Sequence, residues 1–318
     1  MLTEFELIAR YFTPPTTHTV LAGGDDAALV RVAPGMELVV STDMLVGGRH
    51  FFDDADPAGV GHKSLAVNLS DLAAMGATPR WATLSIALPE ADEAWIAPFA
   101  DGFLRLAQAF DVDLIGGDTT RGPLNICVQI LGEVPTGAAL RRDAARAGDE
   151  VWVSGTLGEA ALAVAHRRGD FELRAQELAH SIQRLDLPQP RVALGLALRG
   201  VAHAVIDVSD GLAADLGHIC ERSGVAAVVE WEAVPKPAVA ARHGEHLLVR
   251  QCVLAGGDDY ELCFTAPAAR TRQVLDAAGT AGVGVTRVGR IVPGAGVTVV
   301  DAAGRPVGLE RGGYDHFR

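Results

Sequence analysis

Acidic residues recur at the ends of apolar runs along this chain. Gly-Gly-Asp occurs three times, beginning at Gly23, Gly116 and Gly256, and Ser41-Thr42-Asp43 and Val208-Ser209-Asp210 likewise set a small residue before the acid. Small residues let backbone approach a phosphate closely, while Asp offers oxygen to a hard cation. One such turn means little, because Asp after Gly is usually a turn or cap residue. Five of them, with Asp71 added, are harder to take as independent caps. If the strand ends converge, Asp26, Asp43, Asp71, Asp118, Asp207 and Asp210 form a carboxylate cluster that stays ionised only around cations. Oxygen donors without His or Cys company point to Mg²⁺ and away from zinc, and Mg²⁺ held this way usually comes with phosphates.

The elements that must carry these acids follow from periodicity. Lys63 to Gly76, KSLAVNLSDLAAMG, reads as a helix apolar on most of its circumference, with Gly76 and Pro79 as a stop. Ser64, Asn68 and Asp71 fall on one narrow polar stripe of it. Asp71 there either pairs with Lys63 or Arg80, or lies on the solvated edge, or faces a cation site. Short strands are expected at AALVRV, ELVVSTD, RWATLSIALP, VDLIGGD and PLNICVQILGEV, with a long helix over ADEAWIAPFADGFLRLAQAF. Pro135 to Asp149 is rich in Gly, Ala and Arg and has little apolar periodicity, which places a domain boundary there: an N-terminal domain over 1–138, a linker over 139–148 and a C-terminal domain over 149–318. The second half adds strands at EVWVSG, AVIDV, GVAAVVEW, YELCFT and GVGVTRVGRIV. Helices are expected at LGEAALAVAHRR, after Pro188 and Pro190, at GLAADLGHIC, at KPAVAARHGEHLL and at PAARTRQVLDAAG. Strands and helices alternate without clean βαβ runs, which favours α+β layers over one doubly wound sheet.

Composition excludes several classes. The 318 residues suit about two domains, and 49% hydrophobic content rules out a mostly disordered chain. Forty acids against 27 bases give a formal charge of -13, so nucleic acid and anionic membranes are not expected partners. Cys127, Cys220, Cys252 and Cys263 form no CxxC pair and sit in apolar runs, as core residues of a reducing compartment do. MLTEFELIARYF reads as an amphipathic helix and not a signal peptide. No apolar run approaches the roughly 18 residues of a membrane span, so a cytoplasmic protein is expected. Gly59 to Ser64, GVGHKS, lacks Walker A spacing, and no GxGxxG follows a strand. Phosphate charge would have to be met by metals, by glycine-turn amides and by bases such as Lys63, Arg142 and Arg146.

GGDDAAL, STDMLVGGRHF, HKSLAVNLSDLAAMGA, LIGGDTTRGP, IDVSDGLAADLGHI, GGDDYELCFT and the terminal GYDHF together resemble the thiamine-monophosphate kinase family, nearly end to end. That family belongs to the wider group of aminoimidazole ribonucleotide synthetase and selenophosphate synthetase. The resemblance implies an N-terminal α/β domain whose sheet pairs with that of a second subunit to form a barrel across a homodimer, and a C-terminal α/β domain. It also implies the reaction of ATP with thiamine monophosphate to give ADP and thiamine diphosphate, the last step of thiamine diphosphate biosynthesis. By motif, Asp26, Ser41, Thr42, Asp43, Asp71, Asp118, Asp207 and Asp210 would hold several Mg²⁺ ions. Gly117, Asp118, Arg142 and Ser209 would touch ATP; His50, Asp258 and Tyr314 would contact the thiamine phosphate. The chain departs from the family's usual form at Gly47-Gly48-Arg49, where an acid is common, at Asp258, where Glu is frequent, and at Ala147, where Pro is frequent.

The chemistry agrees with the residues independently. A phosphate monoester is already anionic near neutral pH, its second pKa being about 6. Its transfer needs charge neutralisation and in-line positioning, with no general base. Two other readings compete: another ATP-dependent enzyme of the same superfamily with a different acceptor, and a non-catalytic nucleotide or Mg²⁺ sensor. The reactive N-terminal Cys of selenophosphate synthetases is missing, since no Cys precedes Cys127, and every acidic position the motif asks for is filled.

Overall fold

The computed structural model describes residues 3–244, 246–309 and 312–313. The chain divides into two compact units, one of Met1–Leu72 with Ala77–Gly137 and one of Ala73–Gly76 with Ala138–Arg318.

The first unit runs α1 (Glu4–Tyr11), β1 (Thr19–Leu21), β2 (Leu29–Val30), β3 (Met36–Val46), α2 (Pro57–Ala74), β4 (Thr78–Leu88), α3 (Glu93–Ala109), β5 (Asp113–Arg121) and β6 (Asn125–Pro135). β1 and β2 form a hairpin, and the other strands form one sheet in the order β3-β6-β4-β5. Only β4 and β5 run parallel; β3 lies antiparallel to β6, with Ser41 opposite Ile130 and Asp43 opposite Val128. α2 begins six residues before the expected Lys63. Asp56 caps it, taking the Gly59 amide on its side chain at 3.1 Å, and Pro57 suits a first helical position because its missing N–H would have no partner there. The expected apolar side of α2 is buried at Leu65, Leu69 and Leu72, and Phe99 and Phe103 of α3 and Ile126, Val128 and Ile130 of β6 are buried in the same unit. α2 and α3 touch backbone to backbone. A Cβ on Gly61 would stand 2.0 Å from the Phe99 carbonyl oxygen, and one on Gly102 would stand 2.0 Å from that of Ala58.

The second unit runs β7 (Asp149–Ser154), α4 (Glu159–Arg168), α5 (Ala175–Asp186), α6 (Val192–Leu198), β8 (Ala204–Val208), α7 (Leu212–Ser223), β9 (Ala226–Glu230), α8 (Ala238–His243), α9 (Leu247–Ala255), β10 (Glu261–Pro267), α10 (Thr271–Ala281), β11 (Val285–Val292) and β12 (Gly296–Val300). Its six strands are ordered β12-β9-β11-β7-β10-β8, all antiparallel except the β12–β9 pair. Two layers of helix and mixed sheet per unit match the α+β expectation. The core is built on Val151, Val153, Ile206, Val208, Cys263 and Val288. Glu261 is fully buried in it, receiving the Ser154 hydroxyl at 2.6 Å, Arg184 at 2.5 Å and a two-pronged Arg191 guanidinium at 2.5 and 2.6 Å. All four cysteines are free thiols. Burial pushes Cys220 up to about 11 and Cys252 up to about 12, so neither is a thiolate at neutral pH.

Three departures from the sequence reading have local causes. KPAVAARHGEHLL breaks into α8 and α9 around Gly244, the poorest helix former in the stretch after its proline. α5 is an extra helix whose narrow buried side is Ser181 and Leu185, with the Glu177 carboxylate reaching back to the Arg174 amide. β1 and β12, of three and five residues, are extra edge strands. No helix among the described residues is long and apolar enough to cross a membrane.

Candidate active site

In the first unit the acids are placed by β3, α2 and β5. Burial alternates along β3, so Ser41, Asp43 and buried Leu45 share one face while Thr42 and Met44 turn outward and are exposed. The Ser41 hydroxyl donates a short hydrogen bond to Asp71 Oδ2. The other two stripe residues turn back on their own helix, Ser64 Oγ donating to the Gly61 carbonyl at 2.9 Å and Asn68 Nδ2 to that of Ser64 at 3.0 Å. Asn68 Oδ1 is buried without a hydrogen-bond partner. Of the bases proposed to pair with Asp71, Lys63 is buried and donates to the His50 carbonyl at 3.3 Å, and Arg80 meets Glu133 at 3.1 Å.

Burial, and then the charge of Asp71, raise Asp43 from 3.8 to about 7. Two neighbouring carboxylates cannot both be ionised cheaply in a half-buried place unless a cation or a proton lies with them. Ser41, Asp43 and Asp71 thus offer an all-oxygen donor set of the kind a hard divalent cation takes, so these residues fit Mg²⁺ in chemistry. Among the described residues no group of three or more His, Cys, Asp and Glu side chains is placed to hold a metal ion. Asp26 lies on an exposed turn, and Asp118 is exposed on β5, opposite Ser85 of β4. Gly117 sits where β5 crowds β4: with φ of 150°, a Cβ there would meet the Leu84 carbonyl oxygen at 1.8 Å. Its small size is therefore required by the sheet itself.

The loop after β3 folds back through Gly48, whose amide donates to the Phe51 carbonyl at 2.9 Å. His50 Nδ1 accepts the Val46 amide at 2.9 Å, which leaves the ring proton on Nε2 and makes that edge a donor.

In the second unit β8 ends in the Ser209-Asp210-Gly211 turn that starts α7, with Asp207 buried on the strand. Asp215, one turn into α7 and buried, accepts the amides of Ser209 at 3.1 Å and Asp210 at 3.0 Å. Burial raises Asp215 to about 7 despite these hydrogen bonds, with Asp210 adding in the same direction. The Gly256–Tyr260 turn lies against this one: the Asp258 amide donates to the Ser209 carbonyl at 3.0 Å and the Tyr260 amide to that of Val208 at 2.8 Å. Ser209, Asp210 and Asp258 are thereby neighbours.

Two domain families match the chain: AIR synthase related protein, N-terminal domain, over residues 24–134, and AIR synthase related protein, C-terminal domain, over residues 146–302. The thiamine-monophosphate kinase of Salmonella typhimurium (strain LT2) is 46% identical over 319 residues, spanning 99% of this chain and 98% of its own. The chain belongs to the thiamine-monophosphate kinase family. Among solved structures, the thiamine-monophosphate kinase from Stenotrophomonas maltophilia K279a superposes with a TM-score of 0.83 at 49% identity, covering 89% of this chain and 91% of that one. AaThiL complexed with AMPPCP and TMP superposes with a TM-score of 0.78 at 32% identity, covering 92% and 91%.

Membership of the thiamine-monophosphate kinases gives the expected residues their context, and their placement is uneven. Ser41, Asp43 and Asp71 come together in the first unit, and Ser209, Asp210 and Asp258 in the second. The Thr42 hydroxyl faces away from Ser41 and Asp43, where Gln129 Nε2 reaches it at 3.5 Å. Arg142 is exposed, its carbonyl taking the Ser223 hydroxyl at 2.9 Å. Tyr314 lies outside the described residues. Asp215 and Tyr260 were absent from the sequence reading. The first was visible only as an acid in the opening turn of a helix that follows an acidic turn.

Proposed function

We propose that the chain transfers the γ-phosphoryl group of ATP to the phosphate of thiamine monophosphate, giving thiamine diphosphate and ADP, the last step of thiamine diphosphate biosynthesis. The observation that carries this reading is the 46% identity to a thiamine-monophosphate kinase over practically the whole chain. An oxygen of the acceptor phosphate attacks the γ-phosphorus, the bond to the bridging β-oxygen breaks, and ADP leaves with that bond's electron pair. The acceptor is already an anion near neutral pH, so no side chain need remove a proton. The work left to the protein is to hold two polyanions in line.

Asp26, Ser41, Thr42, Asp43, Asp71, Asp118, Asp207 and Asp210 are proposed to hold several Mg²⁺ ions. When bound, these ions neutralise the charge that develops on the transferring phosphoryl group. Of these, Thr42 turns its hydroxyl to the opposite face of β3, toward Gln129. Gly117, Asp118, Arg142 and Ser209 serve ATP; His50, Asp258 and Tyr314 serve thiamine monophosphate. The Nε2–H edge of His50 suits an anionic phosphate oxygen, and Asp258 suits the cationic thiamine moiety. In this reading the unit of 1–138 binds nucleotide and Mg²⁺ and forms a homodimer, 139–148 is the linker and 149–318 is the C-terminal domain. The protein works in the cytoplasm, which its free thiols favour.

ADP release by the purified chain with ATP and Mg²⁺, measured with and without thiamine monophosphate and alongside Asp71→Asn, tests the proposal. Stimulated release with thiamine diphosphate appearing, and its collapse in the variant, are expected. Release indifferent to thiamine monophosphate would overturn the acceptor assignment.

A further inference from the structure

Asn68 stands between Ser64 and Asp71 on the polar stripe of α2 and is fully buried. Its amide is only half satisfied. Nδ2 donates to the Ser64 carbonyl at 3.0 Å, so Oδ1 is the end of the amide turned away from that carbonyl, and it has no hydrogen-bond partner. Exchanging the two atoms would set an oxygen against the Ser64 carbonyl, so the assignment stands. A buried acceptor without a donor has lost its hydration and gained nothing in return, and such an atom calls for a reason.

Its neighbours on the stripe and across from it are acceptors. Asp71 follows three residues on, a spacing that sets Cβ atoms about 5–6 Å apart on a helix. Helix side chains lean toward the N-terminus, so the Asp71 carboxylate reaches back over the turn that carries Asn68. From β3 the Ser41 hydroxyl spends its proton on Asp71, and Asp43 on the same face of that strand feels the Asp71 charge. Oδ1 therefore calls for a donor where the two carboxylates call for positive charge. A hydrated divalent cation supplies both, because Mg²⁺ dehydrates reluctantly and keeps several water ligands, which donate outward from the ion.

We propose that Asn68 is a positioning residue for the cation held by Ser41, Asp43 and Asp71, its Oδ1 accepting a hydrogen bond from a water ligand of that ion. This rests on the assignment of those three residues to Mg²⁺. Asn suits the task because it offers an acceptor without a third negative charge beside two acids.

Thermal unfolding of the full chain without nucleotide, in chelator and then at rising Mg²⁺, tests it on wild type, Asn68→Ala, Asn68→Asp and Asp71→Asn. Each protein is compared with itself in chelator, so a change in basal stability drops out, and the Mg²⁺ concentration at which the unfolding temperature begins to climb reports the affinity. Loss of a residue that orients a metal's ligands weakens binding about ten- to a hundredfold, so Asn68→Ala should need at least about tenfold more Mg²⁺. Asn68→Asp keeps the volume and the acceptor and adds charge, so it should need less Mg²⁺ than wild type, an opposite shift that a merely structural role does not produce. Wild-type affinity in Asn68→Ala would mean that Oδ1 is served by something the ion does not bring, such as a water fixed by the protein alone, and would overturn the inference. Asn68→Asp needing as much Mg²⁺ as wild type, or more, would overturn it too, and decides the matter if Asn68→Ala does not fold. If Mg²⁺ leaves wild type unmoved, or protects Asp71→Asn as fully as wild type, the cation assignment falls and the inference with it. Protection of wild type that depends on Asp71 but not on Asn68 removes the inference alone.

Discussion

Asp43 and Asp71 meet on facing elements, so one proton or one cation settles their charge, and this makes the pair testable through pH. Asp43 titrates near 3.8 in an unfolded chain and at about 7 in the folded one. Between those values the folded state binds more protons, so stability falls as pH rises from about 4 to about 7 and is level above. Asparagine at 43 cannot titrate. In the presence of a chelator, the stability of wild type minus that of Asp43→Asn should therefore decline across this window, as read by thermal unfolding at successive pH values. Asp215, also raised to about 7, contributes the same slope to both proteins and cancels in the difference. Added Mg²⁺ should stabilise wild type above pH 7 and do less for Asp43→Asn; a difference that is flat with pH would remove the carboxylate coupling. The sequence carried this pair only halfway. Asp71 was legible because a carboxylate on an otherwise apolar helix needs a partner, but Ser41 lies thirty residues earlier, and only the register of β3 brings its hydroxyl to Asp71. Alternation along the same strand turns the Thr42 hydroxyl away from the set, which the Ser-Thr-Asp motif read as a unit does not reveal.

At the scale of elements, the second unit hangs its helices and strands on one buried carboxylate. Glu261 opens β10 and ties α5 through Arg184, the start of α6 through Arg191 and the end of β7 through Ser154. Truncating one partner of a buried ion pair leaves the others uncompensated, so Glu261→Ala should cost about 3–5 kcal/mol in urea unfolding. Replacing Arg184 and Arg191 by Met in that background should recover part of it, since the uncompensated charges go with them. A loss under about 1 kcal/mol would mean that the pairs only balance their own desolvation. Little of this tie could be read beforehand, because it joins residues 70, 77 and 107 positions apart. The strands it fastens were legible: EVWVSG, AVIDV and YELCFT are short apolar runs with turn residues around them, and each forms a strand. α5 was not, since its buried side is only Ser181 and Leu185. Tyr260, at φ 50°, was not either, because an aromatic residue enters the left-handed region only when a distant turn forces it there.

The first unit as a whole presents a surface that water does not favour. β3 is an eleven-residue edge strand, paired on one side by β6, and its outward residues include Leu38 at 42%, Val40 at 50% and Met44 at 54% exposure. The β1–β2 hairpin adds exposed Val20 and Leu29. Long flat apolar edges are usually blunted by charge, proline or a covering element. From Leu38 to Met44 the outward face of β3 carries no charge and no proline, so a second copy of the chain is the occupant consistent with the proposed homodimer. A two-fold pairing would let the same face serve both partners. Val40→Lys puts a charge at the middle of that face without touching the Ser41, Asp43 and Leu45 side of the strand. Light scattering after size exclusion should show wild type at twice the chain mass and the variant at one, with the variant's thermal midpoint falling on dilution no more than expected of a monomer. A wild type that runs at the mass of one chain, or a variant that stays at two, would send the dimer contact elsewhere and leave the exposed face of β3 without an occupant.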